Sequence, residues 1–289
     1  MQNYYNGIYF PGGDAYYYKR AINETGLQHI RKLVQDGGAY IGMCAGAYFA
    51  SDSVDWEGEI YDYPLDLFQG TATGAIDEIA PWPDYVMTVI DLNPDNPINQ
   101  YEPPTQTTLY YGGPIFKPHN DIIVDTVATW NEYYNDAAII NFSYGSGRVL
   151  LVGPHPEIEE DDDRDSTDFA QELDDDGTEW NLLWTAVDWV LGRSISRPPG
   201  VGTLGDVNDD GSANSTDALI ILSCDVGIDV SQFCPMNCGD VNQDGFVNST
   251  DALIVLSADV GMSTPYPVGS NGCPESITPC AGCSGNYFY

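Results

Sequence analysis

Along residues 1–193 short apolar runs alternate with stretches of helical period, the pattern of an α/β domain. "NGIYF" reads as a short strand entering the turn "PGGD". Ile22, Leu27, Ile30, Leu33 and Val34 recur at helical spacing, predicting a helix over about 23–36 that ends at Gly37-Gly38. "AYIGM" then reads as a buried strand. Further strands are expected at 85–90, 107–111, 121–130, 137–144 and 147–153, the last two joined as a hairpin across "YGSG". An amphipathic helix over 178–192 closes this part at Gly192. The Pro/Gly-rich "SISRPPGVGT" marks a boundary. The expected organisation is a domain over 1–193, a linker over 194–204, a small helical domain over 205–262 and a Cys-rich tail over 263–289.

The small domain is an internal repeat. "GDVNDDGSANSTDALIILSCDVG" (205–227) and "GDVNQDGFVNSTDALIVLSADVG" (239–261) match almost residue for residue, offset by 34. Asp206, Asn208, Asp210, Asn214 and Asp217 fall at loop positions 1, 3, 5, 9 and 12; Asp240, Asn242, Asp244, Asn248 and Asp251 repeat them. Alternating carboxylates and amides on a tight loop converge hard oxygens, which is what calcium takes. Gly211 and Gly245 sit at the sixth position, where the chain must turn sharply, and Ser212 and Phe246 offer main-chain carbonyls at the seventh. Each loop runs into one helix, expected over 217–223 and 251–257.

On these residues 205–261 resembles the dockerin domain, the duplicated calcium-loop-and-helix module that plugs secreted proteins into cohesin receptors. The resemblance implies two calcium ions and a cohesin-like or other extracellular partner, touched by Ser215, Thr216, Ser249 and Thr250. The helices "ALIILS" and "ALIVLS" lack the Lys or Arg usual in that family. An intramolecular role is the alternative, the tail covering the apolar helix faces, and self-assembly is a further one.

Charge narrows the partners. Nine Lys+Arg against 44 Asp+Glu give a formal net charge of −35. Such a chain repels phosphate, which excludes nucleic acid and anionic membranes as partners. No run of about 18 apolar residues is present to span a membrane. "MQNYYNGIYF" shows no secretory signal, so a mature or truncated form is expected. Glu157 opens an acid-rich stretch over 157–165, and another spans 172–177; both read as solvated loop.

Six of seven cysteines fall between 224 and 283. They read as up to three disulfides formed in an oxidising compartment, with 15 possible pairings. The spacings Cys234-x3-Cys238 and Cys280-x2-Cys283 also admit zinc.

The seventh, Cys44, stands in "GMCAG", a G-x-C-x-G after an apolar strand and before a helix, the arrangement of a nucleophile elbow. Of three histidines, His29 and His119 read as structural or surface residues. His155 follows the strand "GRVLLVG", with Glu157 two residues on, placed to orient the imidazole. "YFPGGDAYYY", "GGAYIGMCAGAYFAS", "LYYGGPIF" and "GRVLLVGPHPE" together resemble the class I glutamine amidotransferases. The match is closer to the amidotransferase-like domain at the N-terminus of biotin–protein ligases. That resemblance implies a flavodoxin-like sheet flanked by helices, its opening elements missing here, and a Cys44–His155–Glu157 site. It also implies an oxyanion hole from main-chain N–H groups near Gly13 and at Ala45. Where glutaminases usually carry a His-Gln or similar pair after the elbow glycine, this chain has Ala47-Tyr48. Two functions fit: a secreted calcium-binding modular protein with acyl-transferring or amide-hydrolysing chemistry, or a non-catalytic extracellular assembly protein using the fold as scaffold.

Overall fold

The computed structural model describes residues 5–119, 122–131, 133, 136–158, 179–198, 201–234, 236–274 and 277–283. The chain divides into two units, 1–195 and 196–289. In the first, β1 (Gly7–Phe10) leads through α1 (Ala15–Ala21) and α2 (Glu24–Gln35) into β2 (Ala39–Met43), which pairs with β1 in parallel. Asn23 starts α2 because its side chain accepts from the Gly26 N–H at 3.0 Å. Beyond α3 (Ala45–Ala50) the chain leaves for a second sheet of β3 (Ser51–Trp56), β4 (Glu59–Asp62) and β5 (Phe68–Gly74). It returns as β6 (Val86–Leu92) and β7 (Thr105–Tyr110), adds β8 (Ile115–Pro118) to the second sheet, and closes the first with β9 (Asp125–Trp130), β10 (Ala137–Tyr144) and β11 (Gly147–Val152). The main sheet runs β1-β2-β11-β10-β9-β6-β7 and the second β4-β3-β5-β8. α4 (Trp180–Val190) packs on the main sheet.

Strand alternation builds both halves of the core. Tyr40, Ile140, Phe142, Val149 and Leu151 face one cluster with Leu27, Ile30 and Phe49. Ala39, Met43, Ile139, Leu150 and Val152 face the other with Trp130, Leu182 and Ala186. Burial on both faces explains why β2 and β11 read as unbroken apolar runs. β11 lies between β2, parallel, and β10, antiparallel, so the ends of β2 and β11 meet side by side. Burial of each large side chain contributes about 2 kcal/mol.

Two points differ from what the sequence led one to expect. The strand expected at 121–130 begins at Asp125, because Ile122 N–H turns back onto the His119 carbonyl at 3.2 Å and leaves Ile123 exposed. The second sheet was not expected: β4 is exposed at all four positions, and β5, "FQGTATG", mixes Gly and Thr. Asn141 lies buried inside β10, its amide oxygen accepting from Asn96 at 3.1 Å. The acidic stretches lie outside the described residues except for Glu157 and Ile158.

Burial also sets one pH response. Glu102 is withdrawn from water with an unpartnered Oε1, and burial pushes its carboxyl up to about 7 from an ordinary 4.5. The folded state therefore holds this proton more tightly than the unfolded chain. The stabilisation is complete below pH 4.5 and is lost as pH rises through about 7. All six tryptophans fall in the first unit, so their fluorescence reports its melting alone. Glu102→Gln is expected to remove this decline, worth at most about 3 kcal/mol; an unchanged pH profile would assign it to other carboxyls.

In the second unit α5 (Ser215–Asp225) and α6 (Ser249–Asp259) start earlier and end later than the expected helices. The six clustered cysteines form Cys224–Cys280, Cys234–Cys283 and Cys238–Cys273. The zinc alternative is thereby corrected, since each member of the two close-spaced pairs is bonded elsewhere. Cys280, Cys283, Val268 and Ile277 of the tail join the helical core. The outer positions Leu219 and Leu253 nonetheless stay exposed.

Candidate active site

Cys44 begins where β2 ends. Its N–H donates to Val152 of β11 at 2.8 Å and its carbonyl accepts from Ala47 and Tyr48, opening α3. The turn forces Cys44 to φ 43°, ψ −101°, outside the regions that L residues prefer. Such strain, on the order of 1–3 kcal/mol, persists only where the surroundings over-determine it. The sulfur lies within 3.6 Å of the Tyr111 carbonyl and borders a cavity of about 840 Å³.

His155 reaches the same cavity from the end of β11. Its N–H donates to the Leu109 carbonyl at 2.9 Å, and Nδ1 sits 2.9 Å from Glu157 Oε1. Nε2 is buried with no close polar partner, and the Cys44 sulfur is near enough to bear on the charge of the ring. Burial is the largest influence on the imidazole and works against its charge. The Cys44 sulfur and the Glu157 carboxylate, through charge and hydrogen bonding, outweigh it and push His155 up to about 10.

Gly13 and Ala45 also line the cavity. Ala45, first in α3, has no intrahelical acceptor for its N–H. Gly12 lies against the imidazole: a Cβ built on it would stand 2.7 Å from His155 Cε1. Sequence reading missed Gly12, because only tertiary packing shows what its missing side chain makes room for. It also missed the aromatic wall of Tyr48, Trp56, Trp82 and Tyr111, scattered over 64 residues of chain. Of the other histidines, His29 is exposed, and His119 pairs with Asp52 at 3.2 Å on the second sheet.

The loops of the second unit close on their own carboxylates. Asp206 accepts from Asp210 and Gly211 N–H, and Asp217 from Val207, Asn208 and Asn214 N–H; Asp240 and Asp251 repeat both sets. Asp210 and Asp244 accept from the N–H of Ser212 and Phe246, and the Ser212 carbonyl accepts from Asn214. Gly211 and Gly245 take φ 88° and 85°, which glycine alone adopts without strain. Asp206, Asp217, Asp240 and Asp251 are buried. Asp217 is raised by burial first and by Asp206 besides, with main-chain N–H groups holding it back; Asp251 is raised likewise beside Asp240. Buried like charges among hard oxygens fit a divalent cation of the calcium type.

Asn214 and Asn248 also cap α5 and α6 in capping boxes with Asp217 and Asp251. The side chains of Ser215, Thr216, Ser249 and Thr250 belong to exposed residues. Their helices cap each other: Asp259 accepts from Ser215 N–H and Asp225 from Ser249 N–H, both at 3.0 Å. That reciprocal pair was not singled out from sequence, although the two aspartates share the 34-residue offset.

Comparison with known proteins divides the chain in the same place. The family model described as "Biotin-protein ligase, N terminal" matches residues 3–180, and that of the dockerin type I domain matches 204–258. A biotin–protein ligase of Schizosaccharomyces pombe is 32% identical over 164 residues, covering 52% of this chain and 25% of the ligase. An uncharacterized protein of Chlamydia muridarum is 31% identical over 157 residues, covering 52% of this chain and 60% of that protein. The chain thus spans a quarter to three-fifths of the length of these relatives. A solved glutamine amidotransferase is similar at 17% identity and a TM-score of 0.40, over 53% of this chain and 71% of that one.

Proposed function

The chain belongs to the biotin–protein ligase N-terminal family and carries a dockerin type I domain behind it, and from that premise we propose a secreted modular protein whose first unit transfers acyl groups from amides. The observation that carries the chemistry is a strained Cys44 and a Glu157-paired His155 lining one cavity. Cys44 thiolate attacks the amide carbonyl, forming a C–S bond while the π pair moves to oxygen. The Gly13 and Ala45 N–H groups donate to that oxyanion. His155 gives its Nε2 proton to the leaving nitrogen, the C–N bond breaks and the amine departs. The neutral imidazole, oriented by Glu157, then takes a proton from water or another acceptor, which attacks the thioester and frees the thiolate.

The second unit serves as the attachment module. Dockerin type I domains are calcium-binding, and the two loops, with Asp206, Asn208, Asp210, Ser212, Asn214 and Asp217 and their repeats, would hold one ion each. Ser215, Thr216, Ser249 and Thr250 would meet a cohesin-type or other extracellular receptor. Three disulfides support an oxidising, extracellular setting.

Iodoacetamide tests the nucleophile directly, because Cys44 is the one free cysteine. At pH 7 the folded protein is expected to lose its thiol about tenfold faster than a free cysteine, and His155→Ala to abolish that advantage. A Cys44 no faster than the free thiol refutes the chemistry.

A further inference from the structure

The cavity above Cys44 is lined largely by aromatic rings, with Asp14 the acidic side chain among the described lining. Tyr48 and Trp56 meet edge to face at 5.7 Å, Trp56 and Trp82 likewise at 5.6 Å, and Trp82 stacks on Tyr111 at 5.0 Å. Trp82 is 44% exposed and Tyr61 48%, so the mouth is open to solvent and itself aromatic. The charged groups are Asp14 at the entrance and His155 beside Cys44. Among the described residues no lysine or arginine lines the cavity. Lys19 and Arg20 lie over the rings of Tyr63 and Tyr16, two lining residues, at 4.8 and 5.4 Å, and Lys19 donates to the Asp62 carbonyl, so both cations already have partners. The His155 ring is answered by Glu157 at 2.9 Å, which leaves Asp14 as the acidic side chain of the described lining.

These features disfavour a carboxylate and favour a cation. A substrate carboxylate entering here finds no lysine or arginine among the described lining, only the His155 ring already paired with Glu157, and meets Asp14. An ammonium finds ring faces, whose quadrupole attracts cations most strongly when both are desolvated, and a chain of net charge −35 that raises the local concentration of cations. We propose that this pocket selects an amide whose body carries an ammonium group and no carboxylate, the ammonium resting on the Trp56, Trp82 and Tyr48 wall while the carbonyl faces Cys44. Free glutamine, with its α-carboxylate, is then a poor substrate. Ala47-Tyr48 after the elbow glycine agrees: Tyr48 is buried with its hydroxyl donating to the Gly112 carbonyl at 3.0 Å, so its ring builds wall and offers glutamine no free polar group.

This inference rests on the reading of Cys44 as nucleophile for what happens after binding, and the test separates the two. Benzyltrimethylammonium and phenylacetate, similar in bulk and opposite in charge, are titrated by calorimetry into the full-length protein. The cation is expected to bind about thirtyfold more tightly than the anion and to protect Cys44 from iodoacetamide. Trp82→Leu should weaken the cation about tenfold, and Trp82→Phe, which keeps a ring face, should restore most of the loss; a cooperative tryptophan melt in each variant establishes folding. Equal binding of both probes, binding of neither, or cation binding indifferent to Trp82→Leu overturns the proposal. Failure of the nucleophile reads out elsewhere, as a slow iodoacetamide rate without any ligand.

Discussion

Chelating calcium lowers the melting temperature of residues 196–289 by about 20 °C or more while the tryptophan-reported melt of the first unit stays in place. The size follows from the loops. A site held at a thousandfold excess over its dissociation constant stabilises the folded state by about 4 kcal/mol. A domain of this size shifts by about 4–8 °C for each kcal/mol. Without a cation, Asp206 and Asp217 are left buried against each other with main-chain N–H groups as their only compensation, and Asp240 and Asp251 repeat that penalty in the second loop. Their side chains also fix the starts of α5 and α6, so loop and helix fail together. The three disulfides keep the unfolded chain cross-linked, which limits how far the unit expands. Calorimetry with and without EDTA reads the second transition, and the absence of tryptophan from 196–289 keeps the two signals apart. Asp251→Ala should reproduce about half of the shift. A transition at the same temperature in EDTA would remove calcium from the account.

What was legible in the sequence is what the chain writes locally. A calcium loop gathers its oxygens within 12 residues, and a strand-end cysteine or H-x-E is set by the next turn, so spacing alone exposes them. The centre of the main sheet was visible because β2, β10 and β11 are buried on both faces and therefore read as unbroken apolar runs. The second sheet was hidden for the opposite reason: its strands are short, and β4 has no buried face to print a pattern. The aromatic wall was hidden because Trp56 comes from β3, Trp82 from the loop before β6 and Tyr111 from the end of β7. Only folding makes them neighbours. Disulfide pairing was likewise a tertiary fact, one outcome out of 15.

Gly12→Ala is expected to cost about a hundredfold in Cys44 reactivity and turnover although it touches neither thiol nor substrate chemistry. Gly12 does not occupy the left-handed region, so an alanine adds no backbone strain there, only a methyl group 2.7 Å from His155 Cε1. The ring cannot retreat freely, since Glu157 holds Nδ1 and Leu109 holds the His155 N–H. It must pivot, and the pivot moves Nε2, the atom that faces Cys44 and the leaving group. A displacement near 1 Å in such a group costs about two orders of magnitude in rate. The loss in stability should be far smaller, about 1–3 kcal/mol, as for other overpacked sites. A merely structural effect predicts that Gly12→Ala and His155→Ala add. Action through the imidazole predicts that the double variant reacts with iodoacetamide no more slowly than His155→Ala alone, because the second change has nothing left to misplace. Additive losses, or an unaltered iodoacetamide rate in Gly12→Ala, would show that the position of His155 does not govern the thiol.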